Sequence, residues 1–403
     1  MQGGRIDILI VHDKPPGAGG IRRFVEDSAE VLRVAGHGVR TLRLGARAND
    51  DEPSFPSTFD WASGYRRRAG LRRLVSGWAP DVVHVHAGFT ALSAVLLRDL
   101  AGRWPTVGQF HDVGAFCYHG TRRYLSQDRL CGRRVGLGCW TTGCYRPGGV
   151  GATLRGIARG LVRADLLAAW RALPRIVVPS GYLRDTALLH GFEPDKVRVV
   201  PNFLPAAASR RSQAEEMPLI LFVGSMLPIK GAHLVLAALA RVTERPWRAI
   251  FAGDGVERKN LERRCGELGL SDRVHFAGTL GRAALDDLYD GCRMLVHASV
   301  IPESFGLVGI EAMAHGVPVV GFDLGGVREW LIDGETGIAA TPWSVEALAG
   351  GIRRLLDEPA LAERLGAAAQ ARTRALFAAQ PFLADTLSVY GEAVETWRRQ
   401  RRR

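Results

Sequence analysis

The chain has 403 residues, with an apolar fraction of 47% and a charged fraction of 23%, which excludes a disordered or fibrous protein and leaves an ordinary globular one. That length exceeds one hydrophobic core and falls short of three domains of about 100 to 200 residues, so two domains are expected. The net charge of +12 is carried almost wholly by arginine, since Lys14, Lys196, Lys230 and Lys259 are the only lysines; it reads as a solvated arginine-rich surface, and the basic runs Arg66-Arg67-Arg68 and Arg398 to Arg403 suit contact with an anionic membrane face.

No apolar run reaches the roughly 18 residues needed to span a bilayer, and the first 13 residues lack the basic start and small-residue cleavage site of a secretory leader. A cytoplasmic chain, at most touching the inner face of the membrane, is the expectation. Six cysteines are too few for a disulfide scaffold of this size, so thiols are expected.

Short aliphatic runs alternate with stretches of helical period, the rhythm of parallel sheets with crossover helices. The predicted strands of the first half are Ile6 to Val11, Val39 to Leu44, Val82 to Val85, Thr106 to His111, Ile176 to Val178 and Val197 to Val200. Pro201 to Pro218 has no apolar period and reads as a linker. The rhythm then restarts with Leu219 to Val223, Arg248 to Ala252, Val274 to Ala277, Met294 to His297 and Pro318 to Phe322. After Gly337 the pattern is expected to be purely helical. The reading is an α/β chain of two Rossmann-like domains. Residues 1–205 form the first domain, with a cysteine-containing insertion at 112–151, residues 206–375 the second, and residues 376–403 a helical tail that packs back on the first. In open parallel sheets ligands bind beyond the carboxyl ends of the strands, so a cleft between the two domains is where the chemistry is expected.

Two loops after first-half strands stand out. Pro15-Pro16-Gly17-Ala18-Gly19-Gly20 precedes a helix predicted to begin near Ile21, and its glycines allow close backbone approach to a ligand. His111 ends the strand from Thr106 and should face the same side; His84 and His86 end the preceding strand and serve either structure or the acceptor pocket. Within the insertion lie Cys117, His119, Cys131, Cys139 and Cys144. The spacing lacks a CxxC pair, so free thiols in a ligand-binding loop are preferred over a structural zinc clamp of those four cysteines.

The most informative segment is Pro302-Glu303-Ser304-Phe305-Gly306-Leu307-Val308-Gly309-Ile310-Glu311, which follows a strand and opens a helix. Backbone N–H groups from Phe305 to Val308 at a helix start, with the helix dipole behind them, make a seat for a diphosphate. On eight residues of straight helix Glu303 and Glu311 would stand about 12 Å apart, too far for a glycosidase pair. That distance suits two hydroxyl-binding carboxylates on either side of the diphosphate.

This segment resembles the E-x7-E signature of glycosyltransferase family 4, a large retaining family with the GT-B fold. Val223-Gly224-Ser225 through Lys230-Gly231, Gly253-Asp254-Gly255, Gly278, Gly325-Gly326 with Glu329, Asp333-Gly334 and Thr336-Gly337 follow in the family's order. The resemblance implies a transferase that takes a sugar from a UDP- or GDP-linked donor, held by the domain at 206–375, to a hydroxyl acceptor, held by the domain at 1–205, with no cofactor beyond that donor and no metal at the reacting centre. It implies that Glu303 contacts the donor sugar, that Glu311 binds the ribose hydroxyls, and that Lys230 neutralises the diphosphate. Gly19 and Gly20 lie near the donor, and His111 lies beside its sugar. The remaining donor contacts expected are Ser225, Gly253, Ser304, Phe305, Gly306, Leu307 and Val308. The chain departs from the family at Ser225, where an arginine commonly stands five residues before the lysine, so weaker diphosphate binding is expected. A nucleotide-sugar epimerase on the same fold, or a non-catalytic polyanion- or lipid-binding protein, are the alternatives.

Overall fold

The computed structural model describes residues 4–13, 19–44, 54–55, 78–86, 92–124, 129–136, 138–141, 144, 150–205 and 217–402. Lys14 to Ala18 of the first glycine loop, the run Arg66 to Arg68, the linker centre at 206–216, and Arg403 lie outside them. The chain divides into two compact units, Met1–Asn202 with Ala379–Arg403, and Phe203–Ala378.

The first unit is built on a parallel seven-stranded sheet, in the order β3-β2-β1-β4-β5-β6-β7. Its strands are β1 Asp7–His12, β2 Gly38–Leu44, β3 Ser54–Phe55, β4 Val82–His86, β5 Thr106–Gln109, β6 Arg175–Val178 and β7 Val197–Val199. Strands β1, β4 and β5 are buried on both faces, as strands of a helix-covered parallel sheet are, and β1 accordingly reads as a continuous aliphatic run from Ile8 to Val11. The flanking helices include α1 Gly19–Val34, α2 Ala94–Arg103, α3 Gly138–Thr141, α4 Val150–Arg171 and α5 Gly181–Leu189. Serines start two of them: Ser93 accepts from the Leu96 N–H at 3.2 Å and Ser180 from the Leu183 N–H at 3.2 Å, each meeting one of the unpaired donors of a first turn.

The second unit carries a parallel six-stranded sheet, β10-β9-β8-β11-β12-β13. Its strands are β8 Leu219–Val223, β9 Arg248–Ala252, β10 Val274–Gly278, β11 Met294–His297, β12 Val319–Phe322 and β13 Gly337–Ala340. The helices are α6 Ala232–Leu239, α7 Arg258–Glu267, α8 Arg282–Gly291, α9 Leu307–Ala314, α10 Val345–Asp357 and α11 Pro359–Leu376. The stretch after Gly337 is therefore not purely helical, contrary to the sequence expectation. Strand β13 pairs in parallel with β12 from Gly337 to Ala340; four residues beside a long Ala-rich helical run leave too little period to read.

The last helix, α12 Ala379–Arg401, belongs to the first unit. Its Trp397 Nε1 donates to the Ala101 carbonyl at 2.9 Å, and Arg175 on β6 reaches its Glu392 at 2.6 Å. No helix among the described residues is long and apolar enough to cross a membrane.

In each sheet the strand order reverses once, between β1 and β4 in the first unit and between β8 and β11 in the second. At such a point the loops leaving two adjacent strands diverge and open a crevice beyond the strand ends. The loops after β8 and β11, and those after β1 and β4, carry the residues described next.

Candidate functional site

In the second unit the loop after β8 ends in a 3-10 turn, Pro228–Lys230, closed by Gly231 at φ +72. A Cβ at Gly231 would overlap the Ala298 carbonyl oxygen, so only glycine lets this turn lie against the chain leaving β11. Two hydrogen bonds fasten that contact, Val300 N–H to the Ile229 carbonyl at 2.9 Å and Ser299 Oγ to the same carbonyl at 3.2 Å. The result is that Lys230 Nζ donates to Glu303 Oε1 at 2.6 Å.

Glu303 is 14% exposed at its side chain and Lys230 31%. Burial works to raise the Glu303 carboxyl, and the nearby Lys230 ammonium, then His297 and hydrogen bonds from Lys230 and Ser299, outweigh it and hold the group below the usual carboxylate range. His297 ends β11. Burial lowers its pKa against the opposing pull of Glu303, and its ring stands edge-on to Trp330 at 5.8 Å. Neither His297 nor Ser299 was singled out from the sequence; both lie within six residues before Glu303 on the same loop, and that was the available signal.

The spacing of Glu303 and Glu311 differs from the straight-helix expectation. Helix α9 begins only at Leu307, after Gly306 in a left-handed conformation, and Glu303 sits in extended backbone bridged to Gly325, with the Gly326 N–H donating to its carbonyl at 2.7 Å. The intervening Ser304-Phe305-Gly306 turn is anchored by Phe305, which is fully buried, packs edge-on against Phe377 at 5.5 Å and accepts from Trp330 Nε1 at 2.6 Å. The first N–H groups of α9, those of Leu307 and Val308 among them, have no i−4 carbonyl inside the helix, while Gly309 turns back to the Gly306 carbonyl at 3.1 Å.

Glu311, 14% exposed, is held from α8. Arg282 Nη1 donates to its Oε1 at 3.0 Å, and Tyr289 OH to its Oε2 at 3.3 Å. Burial, then the Glu311 carboxylate, push the Tyr289 phenol well above its ordinary value, so it remains a donor. Arg282 and Tyr289 were not legible as site residues, because their relation to Glu311 is tertiary.

Ser225 is exposed just after β8. The neighbouring loops are zipped together: Gly224 N–H donates to the Ala252 carbonyl at 3.0 Å and Met226 N–H to the Asp254 carbonyl at 2.8 Å. Gly253, at φ +139, lies so close to Gly224 that a Cβ would overlap the Gly224 carbonyl oxygen. Lys230, Glu303, Ser225, Gly253 and α9 are thus all carried at the carboxyl end of one sheet.

In the first unit Gly19 and Gly20 open α1 rather than ending a loop, so the helix starts two residues earlier than expected. His111 follows β5, and its Nε2 lies 3.1 Å from His86 Nδ1 at the end of β4. His84 lies against His86 with centroids 3.9 Å apart and the rings tilted by 44°, and its Nδ1 lies 2.8 Å from the Tyr390 hydroxyl of α12. Phe24 of α1 stands edge-on to His111 at 5.3 Å. Burial lowers His84 to about 3 and, helped by its histidine neighbours, takes His86 well below its ordinary value. These imidazoles are neutral at physiological pH.

In the insertion, Cys117, Cys131, Cys139 and Cys144 are free and partly buried. Burial, with some help from the other three thiols, pushes the Cys139 thiol up. Among the described residues no group of three or more His, Cys, Asp or Glu is placed to hold a metal ion. The described part of the insertion is tied down by polar contacts. Arg163 donates to the carbonyls of Gly114 and Ala115 at 2.6 and 3.1 Å, and Val135 N–H donates to His190 Nε2 at 2.9 Å.

Comparison with known proteins gives a consistent picture along the chain. Residues 18–207 match the family model described as Glycosyltransferase Family 4, and residues 207–372 match that described as Glycosyl transferases group 1. A glycogen synthase of Mycobacterium tuberculosis is 28% identical over 430 residues, covering 95% of this chain and 94% of that protein. Among solved structures, a glycosyltransferase from Rickettsia africae aligns with a TM-score of 0.74 at 17% identity, over 97% of this chain and 99% of that one. The Anabaena protein HepE, in complex with UDP and glucose, aligns with a TM-score of 0.67 at 20% identity, over 95% of this chain and 99% of that one.

Proposed function

The chain belongs to glycosyltransferase family 4 and carries the GT-B fold, and from that premise we propose that it moves a sugar from a UDP- or GDP-linked donor to a hydroxyl acceptor with retention of the anomeric configuration. The observation that carries this reading is the Lys230–Glu303 pair at 2.6 Å, set beside the start of α9 at the point where the strand order reverses.

The donor diphosphate seats on the first N–H groups of α9 and on Lys230, where a compact ammonium suits a phosphate oxygen. Ser225 contributes a hydroxyl donor but no charge. Gly253 keeps the neighbouring turn close to the strand ends, and the Ser304-Phe305-Gly306 turn aims the helix. Glu303 accepts hydrogen bonds from the donor sugar, and Glu311, steadied by Arg282 and Tyr289, accepts them from the ribose hydroxyls. For Gly19, Gly20 and His111 the family resemblance supplies the role: the glycines lie near the donor and His111 beside its sugar.

As the bond from the anomeric carbon to the diphosphate oxygen breaks, its electron pair goes to that oxygen. Lys230 and the helix dipole meet the growing negative charge, in place of a metal ion. The departing phosphate oxygen takes the proton of the acceptor hydroxyl, and the acceptor oxygen bonds to the anomeric carbon on the same face. Electrostatic stabilisation of the leaving group then provides most of the rate. The acceptor is a glycan, a lipid-linked saccharide or a metabolite bearing a hydroxyl, reached from the cytoplasm and, through the arginine-rich surface, at an anionic membrane face.

The test is product analysis by NMR with UDP- and GDP-sugars, each with and without a panel of hydroxyl acceptors. Transfer with the donor's anomeric configuration kept supports the proposal. An inverted product contradicts retention, and an epimerised donor formed without acceptor favours an epimerase.

A further inference from the structure

His111 has a role in the proposed reaction, but which of its nitrogens carries the proton is set by the residue behind it. His86 is fully buried, its ring lies 20° from parallel to that of His111 with centroids 5.3 Å apart, and its Nδ1 faces His111 Nε2 at 3.1 Å. One of those two nitrogens must donate and the other accept.

The other nitrogen of His86, Nε2, is buried and makes no hydrogen bond. A neutral imidazole with its proton on Nε2 would bury an N–H with no acceptor. The opposite tautomer buries only an unused lone pair. Native structures tolerate the second far better than the first. The groups that act electrostatically on His86 are His84 on its own strand, His12 at the end of β1 and His111; Tyr390 of α12 lies behind His84.

We propose that His86 is a positioning residue that donates its Nδ1–H to His111 Nε2, so that His111 carries its own proton on Nδ1 and acts toward its other neighbours as a hydrogen-bond donor. A donor suits a sugar hydroxyl oxygen, whereas a base that accepts the proton of an attacking group would need a bare nitrogen there. The C-terminal helix supports the arrangement from behind. Tyr390 bonds His84, whose ring lies against that of His86, and Phe382 packs edge-on at 5.6 Å against Phe24, whose ring meets His111. This inference rests on the reading of His111 as a donor-sugar residue.

Two measurements on the full chain test it separately from that reading. The first is the long-range proton–nitrogen spectrum of histidine-labelled protein at pH 7.5, with the His111 signal identified by its loss in His111→Asn. The expected pattern is a protonated Nδ1 and a bare Nε2. His86→Phe should convert it to a mixture, and His86→Asn, whose amide N–H stands near the position of imidazole Nδ1, should restore it. The second is turnover of the donor. His86→Phe should lower kcat by about tenfold or more with KM for the donor unchanged, and His86→Asn should recover kcat to within about threefold of the parent. A His111 protonated on Nε2 in the parent protein overturns the proposal, as does a His86→Phe protein with unaltered tautomer and kcat. If His86→Phe does not fold, the parent spectrum and His86→Asn decide: restored tautomer and kcat support the inference, and a loss of both in His86→Asn contradicts it.

Discussion

Lys230 donates to Glu303 across 73 residues of sequence, with 2.6 Å between Nζ and Oε1. Each partner has a second task in the proposed reaction, the ammonium toward phosphate and the carboxylate toward sugar. The pair therefore stores the site's two charges in a compensated form until the donor arrives. Separating them leaves a mostly buried carboxylate without its cation, and such groups are costly.

Lys230→Ala should lower unfolding stability by about 1 to 3 kcal/mol through the uncompensated Glu303, and Lys230→Ala with Glu303→Gln should cost less than the sum of the single changes. The folded Glu303 carboxyl is held below its unfolded value. The stabilisation by this pair is thus fully present above the ordinary carboxylate range and is lost as pH falls through the lower folded value. Urea titrations of the parent, two single variants and the double variant at pH 7 and near pH 4 check both statements; the coupling should shrink at the lower pH.

Gly231→Ala should damage catalysis more than a surface change of that size normally does. The residue has φ +72, and the added methyl would overlap the Ala298 carbonyl. The strained backbone alone costs about 1 kcal/mol or more, and the relief available is to pull the Lys230 turn away from the loop that carries Glu303. Thermal unfolding and donor turnover measured together should show a lowered midpoint and a fall in kcat/KM.

Acid should loosen the cysteine-containing insertion before it reaches the second unit. Burial lowers His190 to about 4; its Nδ1 lies 2.7 Å from the Thr186 carbonyl and its Nε2 accepts from Val135 N–H, an arrangement that only the neutral ring can make. Because the folded pKa lies below the unfolded value near 6.5, the unfolded chain binds the proton first. Stability is unaffected above about pH 6.5 and falls between there and about 4, at up to about 1.4 kcal/mol per pH unit for this group. The protection factor of the Val135 amide, its exchange rate relative to the intrinsic rate at each pH, should fall across pH 7 to 4.5, and His190→Gln should weaken that dependence.

Much of this was legible in the chain. Strands such as Asp7–His12 and Leu219–Val223 announce themselves as aliphatic runs because parallel strands are covered on both faces, and the segment from Glu303 to Glu311 announces a helix start flanked by two carboxylates; the strand Ser54–Phe55, two residues long, leaves no pattern to read. The strand Gly337–Ala340 was not legible, being four residues long beside Ala-rich helices. The supporting partners of the site were not legible either. Arg282 and Tyr289 meet Glu311 only because α8 packs beside α9, and Tyr390 reaches His84 only because the last helix returns to the first unit. Local pattern carries elements and loop chemistry; it does not carry which side chains those elements bring together.

Ser225, at the position where the family resemblance implies an arginine, is exposed beside the zipped turns after β8 and β9. Ser225→Arg should tighten nucleotide diphosphate binding by up to about tenfold, as one added charge-assisted hydrogen bond allows, with the gain shrinking in high salt. Binding isotherms at low and high ionic strength check this; an unchanged affinity would mean that position 225 does not face the diphosphate.

In the proposed site Lys230, Glu303 and the start of α9 form a seat for the diphosphate of a nucleotide sugar. Calorimetric titration of UDP and of GDP into the parent protein and into Lys230→Ala tests it most directly. At least one nucleotide should bind the parent at one per chain, and Lys230→Ala should weaken its Kd by about ten- to a hundredfold while the protein remains folded. Binding of neither nucleotide, or a Kd that Lys230→Ala leaves untouched, would contradict it.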